Sequence, residues 1–309
     1  GAGEVTAMFI THYHADHTNY AGKAARAWDC PVYCTHQQQP VLERPGDFRL
    51  PCLTPNPIQT TPVEDGHVMR WNEFRLTIYY YPGQTLWHDA MLVEKIEDIE
   101  GEERVVGEPV FLCGDSFGPT GPDDYCLWNR NILKPGRGYF FCLDFLRTLP
   151  EGTMIVNQHI VPAFRYTPEQ IDFMEANLQE RIEVMSELFP WEDANFGIDS
   201  RWARFTPYGL NASSGETIDL ELFIWNHGPD AEECVVELNP PKGWSVAESD
   251  RVQSRTIAGD SESKFTFKVQ IPANWEEEWG VATADVALGD MRLIGWTEAL
   301  IELESREEE

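Results

Sequence analysis

The chain has 309 residues and a formal net charge of −29, from 52 acidic and 23 basic side chains. This length predicts two domains, because a single hydrophobic core rarely grows beyond about 250–300 residues. Acidity of this size repels phosphate backbones, so nucleic acid is not expected as a partner, and a hydrophobic content of 42% excludes a disordered chain.

Cysteine usage and hydropathy bear on the compartment. No run approaches the ~20 apolar residues that cross a bilayer, so no membrane association is expected. The seven cysteines are scattered and predict mostly buried thiols, although Cys30 and Cys34 could form a disulfide in an oxidising compartment. We expect a soluble protein with the cytoplasm favoured, although no targeting signal names a compartment.

The first half of the chain has the pattern of an α/β domain. Residues 5–11 form a short apolar run that is typical of a strand buried on both faces. Residues 17–28 are rich in alanine and predict a helix, with Asp16 and Thr18 placed to cap its start. Further strands are predicted at residues 31–35, 74–81, 110–113 and 154–157. This alternation of strands, polar loops and helices predicts the α/β class.

A longer helix is predicted over residues 168–189. Thr167 and Gln170 form a capping box at its start, and Pro190 ends it. Apolar side chains recur at helical spacing and predict a face packed in the core: Ile171, Met174, Leu178, Ile182 and Met185.

From Trp202 the pattern changes to alternating strands separated by Gly, Pro, Asn and Asp turns. Strands are predicted at residues 216–225, 234–238, 264–271, 281–288 and 291–303. This spacing predicts an all-β sandwich of the immunoglobulin type. The predicted bounds are 1–190 for the α/β domain, 191–201 for a linker, 202–304 for the sandwich and 305–309 for an acidic tail.

Four metal-binding side chains occur within six residues, directly after the first predicted strand: His12, His14, Asp16 and His17. Alternate side chains of an extended segment point the same way, so His12 and His14 can share one ion. Asp16 and His17 follow the bend and can face a second ion nearby. The alternative is a surface loop that happens to be rich in histidine, and the density of ligands argues against it.

This H-x-H-x-D-H pattern resembles the metallo-β-lactamase superfamily, and further motifs follow in the superfamily's order. They are Asp65-Gly66 with residues 71–74; Pro82-Gly83-Gln84-Thr85-Leu86-Trp87-His88, corresponding to P-G-H-T-x-G-H; Gly114-Asp115-Ser116; and Asn157-Gln158-His159 at the last ligand position. The resemblance covers about residues 3–190 and implies the αβ/βα sandwich of that superfamily.

The resemblance also implies a hydrolase with two divalent metal ions, zinc being expected and iron or manganese being alternatives. The implied ligands are His12 and His14 for one ion; Asp16, His17 and His159 for the other; and Asp115 as the bridge. A metal-activated water would attack a small-molecule ester, amide, lactone or thioester. Asp16 is either a ligand only or also the catalytic group that accepts a proton from that water.

Two features depart from the superfamily pattern. Gln84 stands where members normally have a histidine, and an amide oxygen is a poorer zinc ligand than imidazole, so one metal site is expected to be weaker. His88 either substitutes as a ligand or positions the site through hydrogen bonding. The chain also begins only a few residues before its first strand, whereas members carry several strands there, so we expect an amino-terminally truncated domain.

Other functions remain as alternatives. A phosphodiesterase or nuclease of the same fold is disfavoured by the acidity, whereas a non-catalytic metal-binding or scaffold protein with a degenerate site is favoured by Gln84. Flavin-linked di-iron oxygen reductases resemble this fold but usually place a carboxylate at the position of His14. Residues 123–125 and 129–131 are either substrate contacts or surface groups, and His227 is expected at a turn or on the surface.

The second half carries the stretches Trp225-Asn226-His227-Gly228, Pro240-Pro241-Lys242-Gly243-Trp244 and Ile271-Pro272. They resemble the immunoglobulin-like domain associated with α-galactosidases, which is found beside many bacterial carbohydrate-active enzymes. This resemblance implies a supporting domain or one that contacts carbohydrate or protein. Trp244, Trp275 and Trp279 could stack on sugars, although packing in the core is favoured.

Overall fold

The computed structural model describes residues 3–48, 50, 52–123, 133–159, 163–188, 199 and 201–303. The chain divides into two units, one of residues 1–45 and 50–199 and one of residues 46–49 and 200–309. Apart from residues 199 and 201, the predicted linker lies outside the described residues, as does the predicted tail. The domain bounds 1–190 and 202–304 therefore stay predictions.

The first unit combines strands with helices. Its described strands are β1 (Met8–Phe9), β2 (Val32–Thr35), β3 (Thr61–Val63), β4 (His67–Trp71), β5 (Phe74–Tyr80), β6 (Asp89–Ile99), β7 (Glu102–Gly114), β8 (Phe117–Gly118), β9 (Gly121–Pro122), β10 (Leu133–Lys134), β11 (Met154–Asn157) and β12 (Ala163–Phe164). Its described helices are α1 (Ala15–Thr18), α2 (Ala21–Trp28), α3 (Gln39–Glu43), α4 (Gly138–Thr148) and α5 (Pro168–Leu188). A 3-10 turn at Pro45–Asp47 contains residues of both units.

Two sheets organise this unit. The smaller sheet joins β1, β2 and β3 in parallel. The larger sheet has the order β12-β11-β7-β6-β5-β4, in which β11 pairs with β7 in parallel and the remaining pairs are antiparallel. The predicted α/β class is confirmed.

Successive side chains of the central strands enter two different cores. Ala90 and Leu92 of β6 pack in the cluster that contains residues of α4 and α5. Met91, between them in sequence, packs instead with Phe9 and Tyr33 of the smaller sheet. Side chains alternate across a strand, so the larger sheet is covered by helices on one face and by the smaller sheet on the other.

The predicted long helix is α5, and its start has the predicted capping box. The Thr167 main-chain N–H donates to Gln170 Oε1 at 2.9 Å, and the Gln170 N–H donates to Thr167 Oγ1 at 3.3 Å. Ile171, Met174 and Leu178 are buried in the helix-side core, as predicted. Pro190 lies outside the described residues.

Two predicted elements near the amino terminus differ from the structure. The strand predicted at residues 5–11 is reduced to β1, which is only half-buried because it lies at the edge of the smaller sheet. The helix predicted at residues 17–28 divides into α1 and α2, and neither Asp16 nor Thr18 caps it with a side-chain hydrogen bond. The Thr18 hydroxyl donates instead to main-chain carbonyls of the preceding residues, which is a common alternative for this side chain.

The strand predicted at residues 110–113 is the end of a much longer strand. Its partner β6 and the first part of β7 form a hairpin rich in exposed glutamate, and these polar residues hide the apolar alternation of a strand. Near its end β7 has a bulge: Val156 pairs with Leu112, but the next residue, Asn157, pairs with Gly114. Cys113 is therefore the extra residue, and such bulges re-aim the side chains that follow.

The second unit is a sandwich of two sheets. Its described elements are β13 (Ala203–Phe205), β14 (Gly209–Ala212), β15 (Thr217–Asn226), β16 (Glu232–Asn239), β17 (Ser245–Val246), α6 (Glu248–Arg251), β18 (Val252–Ile257), β19 (Ser261–Gln270), β20 (Trp279–Leu288) and β21 (Met291–Leu303). The sheets have the orders β13-β15-β19-β17 and β14-β21-β20-β16-β18. The predicted all-β sandwich is confirmed, and all five predicted strands are present with ends that shift by three residues or fewer.

The described cysteines are free thiols, so Cys30 and Cys34 do not form a disulfide here. Four of them are buried, in agreement with the prediction: Cys34, Cys113, Cys142 and Cys234. Within the described part of the chain, no helix is both long enough and apolar enough to pass through a lipid bilayer.

Candidate metal centre

The predicted ligands gather at one edge of the first unit, where strands begin or end. His12 and His14 follow β1, Asp115 follows β7 and His159 follows β11. Because β7 and β11 are parallel and pair up to Gly114 and Asn157, the residues after them lie side by side. β6 runs antiparallel to β7 and so begins at the same edge, directly after His88, which forms an isolated backbone bridge with His12.

Four ligand atoms form an outer group, with Asp16 and His17 from α1 facing Asp115 and His159. His17 Nε2 lies 3.4 Å from Asp16 Oδ2 and 3.3 Å from Asp115 Oδ2. His159 Nε2 lies 3.2 Å from Asp16 Oδ2 and 2.8 Å from Asp115 Oδ2. Ligands bound tetrahedrally at about 2.0–2.2 Å are about 3.4 Å apart, so this group fits a single small cation.

An inner group shares the Asp115 carboxylate. It consists of His12, His14 and Asp115, all of them buried, and their ligand atoms lie within 4.8 Å of one another. His12 Nε2 is 3.4 Å from Asp115 Oδ2, and Thr11 Oγ1 lies 3.2 Å from His12 Nδ1, which leaves Nε2 facing the carboxylate. Burial lowers the pKa of His12 to about 4, so its ring is neutral at neutral pH, the form that binds metals.

The charge at the centre is set by Asp115 and His17. Burial disfavours the ionised form of Asp115, but the neighbouring His12 and His17 rings outweigh it and hold the carboxyl pKa well below its usual range. Burial likewise lowers the pKa of His17, but hydrogen bonding to Asp115 and the charges of Asp115 and Asp16 reverse this and raise the pKa. The raised pKa of His17 and the lowered pKa of Asp115 both favour an imidazolium paired with a carboxylate at this position.

The outer group opens into a cleft and the inner group does not. A cavity of about 450 Å³ is lined by Phe9, Ile10, Thr11, Asp16, His17, Gln158 and His159. The side chains of Asp16 and His159 are 54% and 51% exposed, whereas that of His12 is fully buried. A molecule in the cleft would therefore reach the outer group first.

Gln84 and His88 are also placed at the centre. Both are completely buried, and the Gln84 main-chain N–H donates to the hydroxyl of Ser116, the residue after Asp115, at 3.2 Å. The His88 ring lies nearly parallel to the His12 ring, with 4.8 Å between ring centroids and 16° between planes. Burial and the neighbouring His12 hold the pKa of His88 well below its ordinary value.

Sequence reasoning missed three polar residues around the ligands. Thr11 orients His12, and Gln158 lies beside it in the cleft wall, with 3.5 Å between Thr11 Oγ1 and Gln158 Oε1. Asn157 accepts a hydrogen bond from the His159 main-chain N–H at 2.8 Å and donates to the Phe117 carbonyl at 2.7 Å. Thr11 directly precedes the first predicted ligand motif, and Asn157 and Gln158 lie within the last one. Their position next to predicted ligands in the sequence is the signal that could have identified them.

The substrate contacts predicted at residues 123–125 and 129–131 lie mostly outside the part of the chain that the structure describes. Residues 124–125 and 129–131 lie outside the described residues. Asp123 is described, and its main-chain N–H donates to the Ser116 carbonyl at 3.0 Å, which closes the base of the β8–β9 hairpin directly after Asp115.

The second unit corrects one prediction and supports another. His227 is fully buried and stacks on Trp225. The prediction of an exposed histidine at a turn or on the surface was therefore wrong. Trp244 is buried and packs edge-to-face on Trp275, in agreement with a core role, whereas Trp279 is 41% exposed. A carbohydrate or protein contact through this unit stays a prediction.

Comparison with protein families agrees with both halves of the structure. Residues 1–96 match the model of the metallo-beta-lactamase superfamily. Residues 212–284 match the NPCBM-associated, NEW3 domain of alpha-galactosidase. The two resemblances noted in the sequence are thereby confirmed.

Curated relatives and solved structures are more distant. A hydroxyacylglutathione hydrolase of Hahella chejuensis is 24% identical over 232 residues, covering 75% of this chain and 73% of the relative. Another, of Bdellovibrio bacteriovorus, is 24% identical over 154 residues, and this chain spans only 55% of its length. A beta-lactamase from Chitinophaga pinensis matches 58% of this chain and 73% of its own, at 14% identity and a TM-score of 0.41. A metallo-beta-lactamase family protein from Thermus thermophilus matches 60% of this chain and 65% of its own, at 19% identity and a TM-score of 0.44.

Proposed function

We propose that this chain, whose first 96 residues match the metallo-beta-lactamase superfamily, is a metal-dependent hydrolase of small molecules. One observation carries the proposal: a single buried oxygen, Asp115 Oδ2, lies within 3.4 Å of the imidazole nitrogens of His12, His17 and His159. Asp115 belongs to both groups of candidate ligands, and its carboxylate with these imidazoles would hold two divalent cations.

The donor set suits divalent cations that accept both nitrogen and oxygen, with zinc proposed first and iron or manganese as alternatives. His12, His14 and Asp115 would hold the inner ion, and Asp16, His17, Asp115 and His159 the outer one. When bound, such ions lower the pKa of a coordinated water from ~15.7 to near 7, which makes a nucleophile available at neutral pH. Several of the atoms concerned are buried without a hydrogen-bond partner, among them Asp115 Oδ1 and His12 Nε2, which is consistent with a role in binding a cation.

The protein itself supplies orientation and a proton acceptor. Thr11 fixes the His12 ring, and Asn157 fixes the main chain at His159. Asp16 is half-exposed at the mouth of the cleft, where its carboxylate can accept a proton from a water molecule beside the substrate. The cleft of about 450 Å³ has the size that binds small molecules, and Phe9 and Ile10 give it an apolar wall for an acyl group.

The substrate is proposed to be a thioester before an ester, lactone or amide. The two curated relatives are named hydroxyacylglutathione hydrolases, and an acyl group on the glutathione sulfur is a thioester. A thiolate is also a better leaving group than an alkoxide or amide, so it needs no further acid in the cleft to leave.

The test combines metal content with hydrolysis. The full chain is freed of metal with a chelator, reloaded with zinc, and assayed against generic thioester, ester, lactone and phosphodiester substrates. We expect metal-dependent thioester hydrolysis that His14→Ala abolishes, whereas Trp244→Phe, a change in the second unit, leaves it unaltered. A metal-loaded chain without turnover on any substrate would favour a binding or scaffold role, and hydrolysis only of the phosphodiester would favour a phosphodiesterase.

A further inference from the structure

The inner half of the centre contains more buried polar atoms than its hydrogen bonds satisfy. Among the described residues, Gln84 Oε1 and Nε2, both ring nitrogens of His88, His12 Nε2 and Asp115 Oδ1 are buried and have no hydrogen-bond partner. An unsatisfied buried amide is costly, and a cluster of such atoms indicates a ligand that pairs with some of them. Which of Gln84 and His88 faces that ligand follows from how each is held.

Gln84 is held directly against the residue that follows the bridging carboxylate. Its main-chain N–H donates to Ser116 Oγ, and the preceding Gly83 packs so closely that a Cβ atom there would lie 2.6 Å from the same oxygen. The segment therefore cannot move away from Ser116 without losing this contact. The Gln84 side chain, fully buried beside the Asp115 segment, carries one oxygen that can bind a cation and one N–H2 group that cannot.

His88 is held against a different surface. A Cβ atom at Gly114 would lie 2.7 Å from both His88 Nε2 and Cε1, so this edge of the ring faces the main chain at Gly114. The ring lies nearly parallel to that of His12. Within the described residues, His88 does not belong to the group whose ligand atoms approach one another within 4.8 Å, namely His12, His14 and Asp115.

We propose that Gln84 donates its amide oxygen to the inner cation beside His12, His14 and Asp115, and that His88 is a positioning residue for the His12 ring. The identification of the ligand as a cation rests on the proposed function, but the assignment does not require turnover. An amide oxygen binds zinc more weakly than imidazole does, so the two positions hold their ions unequally. The outer ion is the firm one, and the inner ion is loaded at higher metal concentrations.

The experiment measures metal binding rather than activity. Metal-free full chain is titrated with zinc in competition with a chromophoric chelator, and with cobalt(II), whose visible spectrum reports the ligand set. We expect two equivalents of unequal affinity in the unchanged protein. Gln84→His should tighten the weaker step tenfold or more and shift the cobalt spectrum, and Gln84→Leu should remove the weaker step while keeping the tighter one.

Variants of His88 test its separate role. His88→Phe keeps a flat ring beside His12 and should retain both equivalents, whereas His88→Ala should weaken the inner ion tenfold or more. Circular dichroism of each metal-free variant checks that it folds, and a gain of affinity in Gln84→His cannot arise from misfolding.

Several results would overturn the assignment. One is an unchanged protein that binds a single equivalent; another is two equivalents whose affinities Gln84→Leu leaves as they were. Loss of the weaker ion in His88→Phe would make His88 the ligand instead. Failure of the proposed function is distinct, since it is two correctly bound ions without hydrolysis of any substrate.

Discussion

Replacing Asp115 by asparagine removes the charge at the middle of the centre while keeping its shape. Asp115 Oδ2 lies 3.3 Å from His17 Nε2, and both side chains are almost fully buried. Opposite charges at this distance attract by about 5 kcal/mol at an effective dielectric constant of about 20. Desolvation offsets part of this, and breaking a buried pair commonly costs about 3–5 kcal/mol.

The cost of Asp115→Asn depends on pH because His17 titrates. The folded pKa of His17 is raised, so its contribution is complete below the unfolded value of 6.5 and is lost as pH rises through the folded pKa. The folded pKa of Asp115 is depressed, so its contribution is present above the unfolded value of 3.8 and is lost only in strong acid. The pair therefore stabilises the fold between about pH 4 and the raised pKa of His17.

We expect Asp115→Asn to lower the free energy of unfolding by about 2–3 kcal/mol at pH 5.5 and by less at pH 8.5, where a smaller fraction of His17 is protonated. The loss at low pH stays below the pairwise attraction because His17 can release its proton in the variant. Urea unfolding of the chelator-treated full chain, followed by tryptophan fluorescence at both pH values, measures this difference.

Glu94→Gln is the matched control. Glu94 is a buried carboxylate, 7% exposed, paired at 2.9 Å with Arg75 in the same unit. Arginine keeps its charge over this pH range, so the control should lose the same stability at both pH values. It also identifies which transition belongs to the first unit. Equal losses for Asp115→Asn at pH 5.5 and 8.5 would refute the ion pair with a titrating His17.

Three further predictions concern the centre and the second unit. Zinc affinity of the outer position should fall as pH drops through the raised pKa of His17, because a protonated imidazole cannot bind the ion. Zinc affinity of the inner position should persist to lower pH, because the pKa of His12 is about 4. Calorimetry in buffers of different ionisation enthalpy counts the protons released. Gly114→Ala should destabilise the first unit by about 2 kcal/mol or more and reduce bound metal, because Gly114 has φ +55° and a Cβ would contact His88; unchanged metal content would contradict this. Trp244→Ala should cost the second unit about 3–5 kcal/mol, seen in its own urea transition with the first unit's transition unmoved.

The sequence predicted those helices and strands whose patterns involve residues only a few positions apart. The capping box at Thr167 and the apolar face of the following helix are set by residues three or four apart, and the structure has both. The alternation of the sandwich strands is equally local, and those strands are present close to where they were predicted. The glutamate-rich hairpin of β6 and β7 was missed because its pairing depends on a partner strand and not on an apolar pattern.

The centre was predictable in its composition but not in its arrangement. The motif around His12 and the resemblance it carries indicated which residues to bring together, but no local rule places Asp115 beside His159. That proximity depends on the parallel pairing of two strands separated by about forty residues. The distinction between Gln84 and His88 also required coordinates, since it rests on contacts with Ser116 and the main chain after β7.

The bulge at Cys113 determines which side of the sheet the residues after β7 face. Side chains of a strand face opposite sides in turn, so removing one residue upstream reverses the facing of everything after it. Deleting Cys113 would let β7 continue in regular pairing with β11 and would direct the next carboxylate to the opposite side of the sheet. A three-nucleotide deletion could therefore remove Asp115 from the proposed metal centre while leaving the codon of every proposed ligand intact.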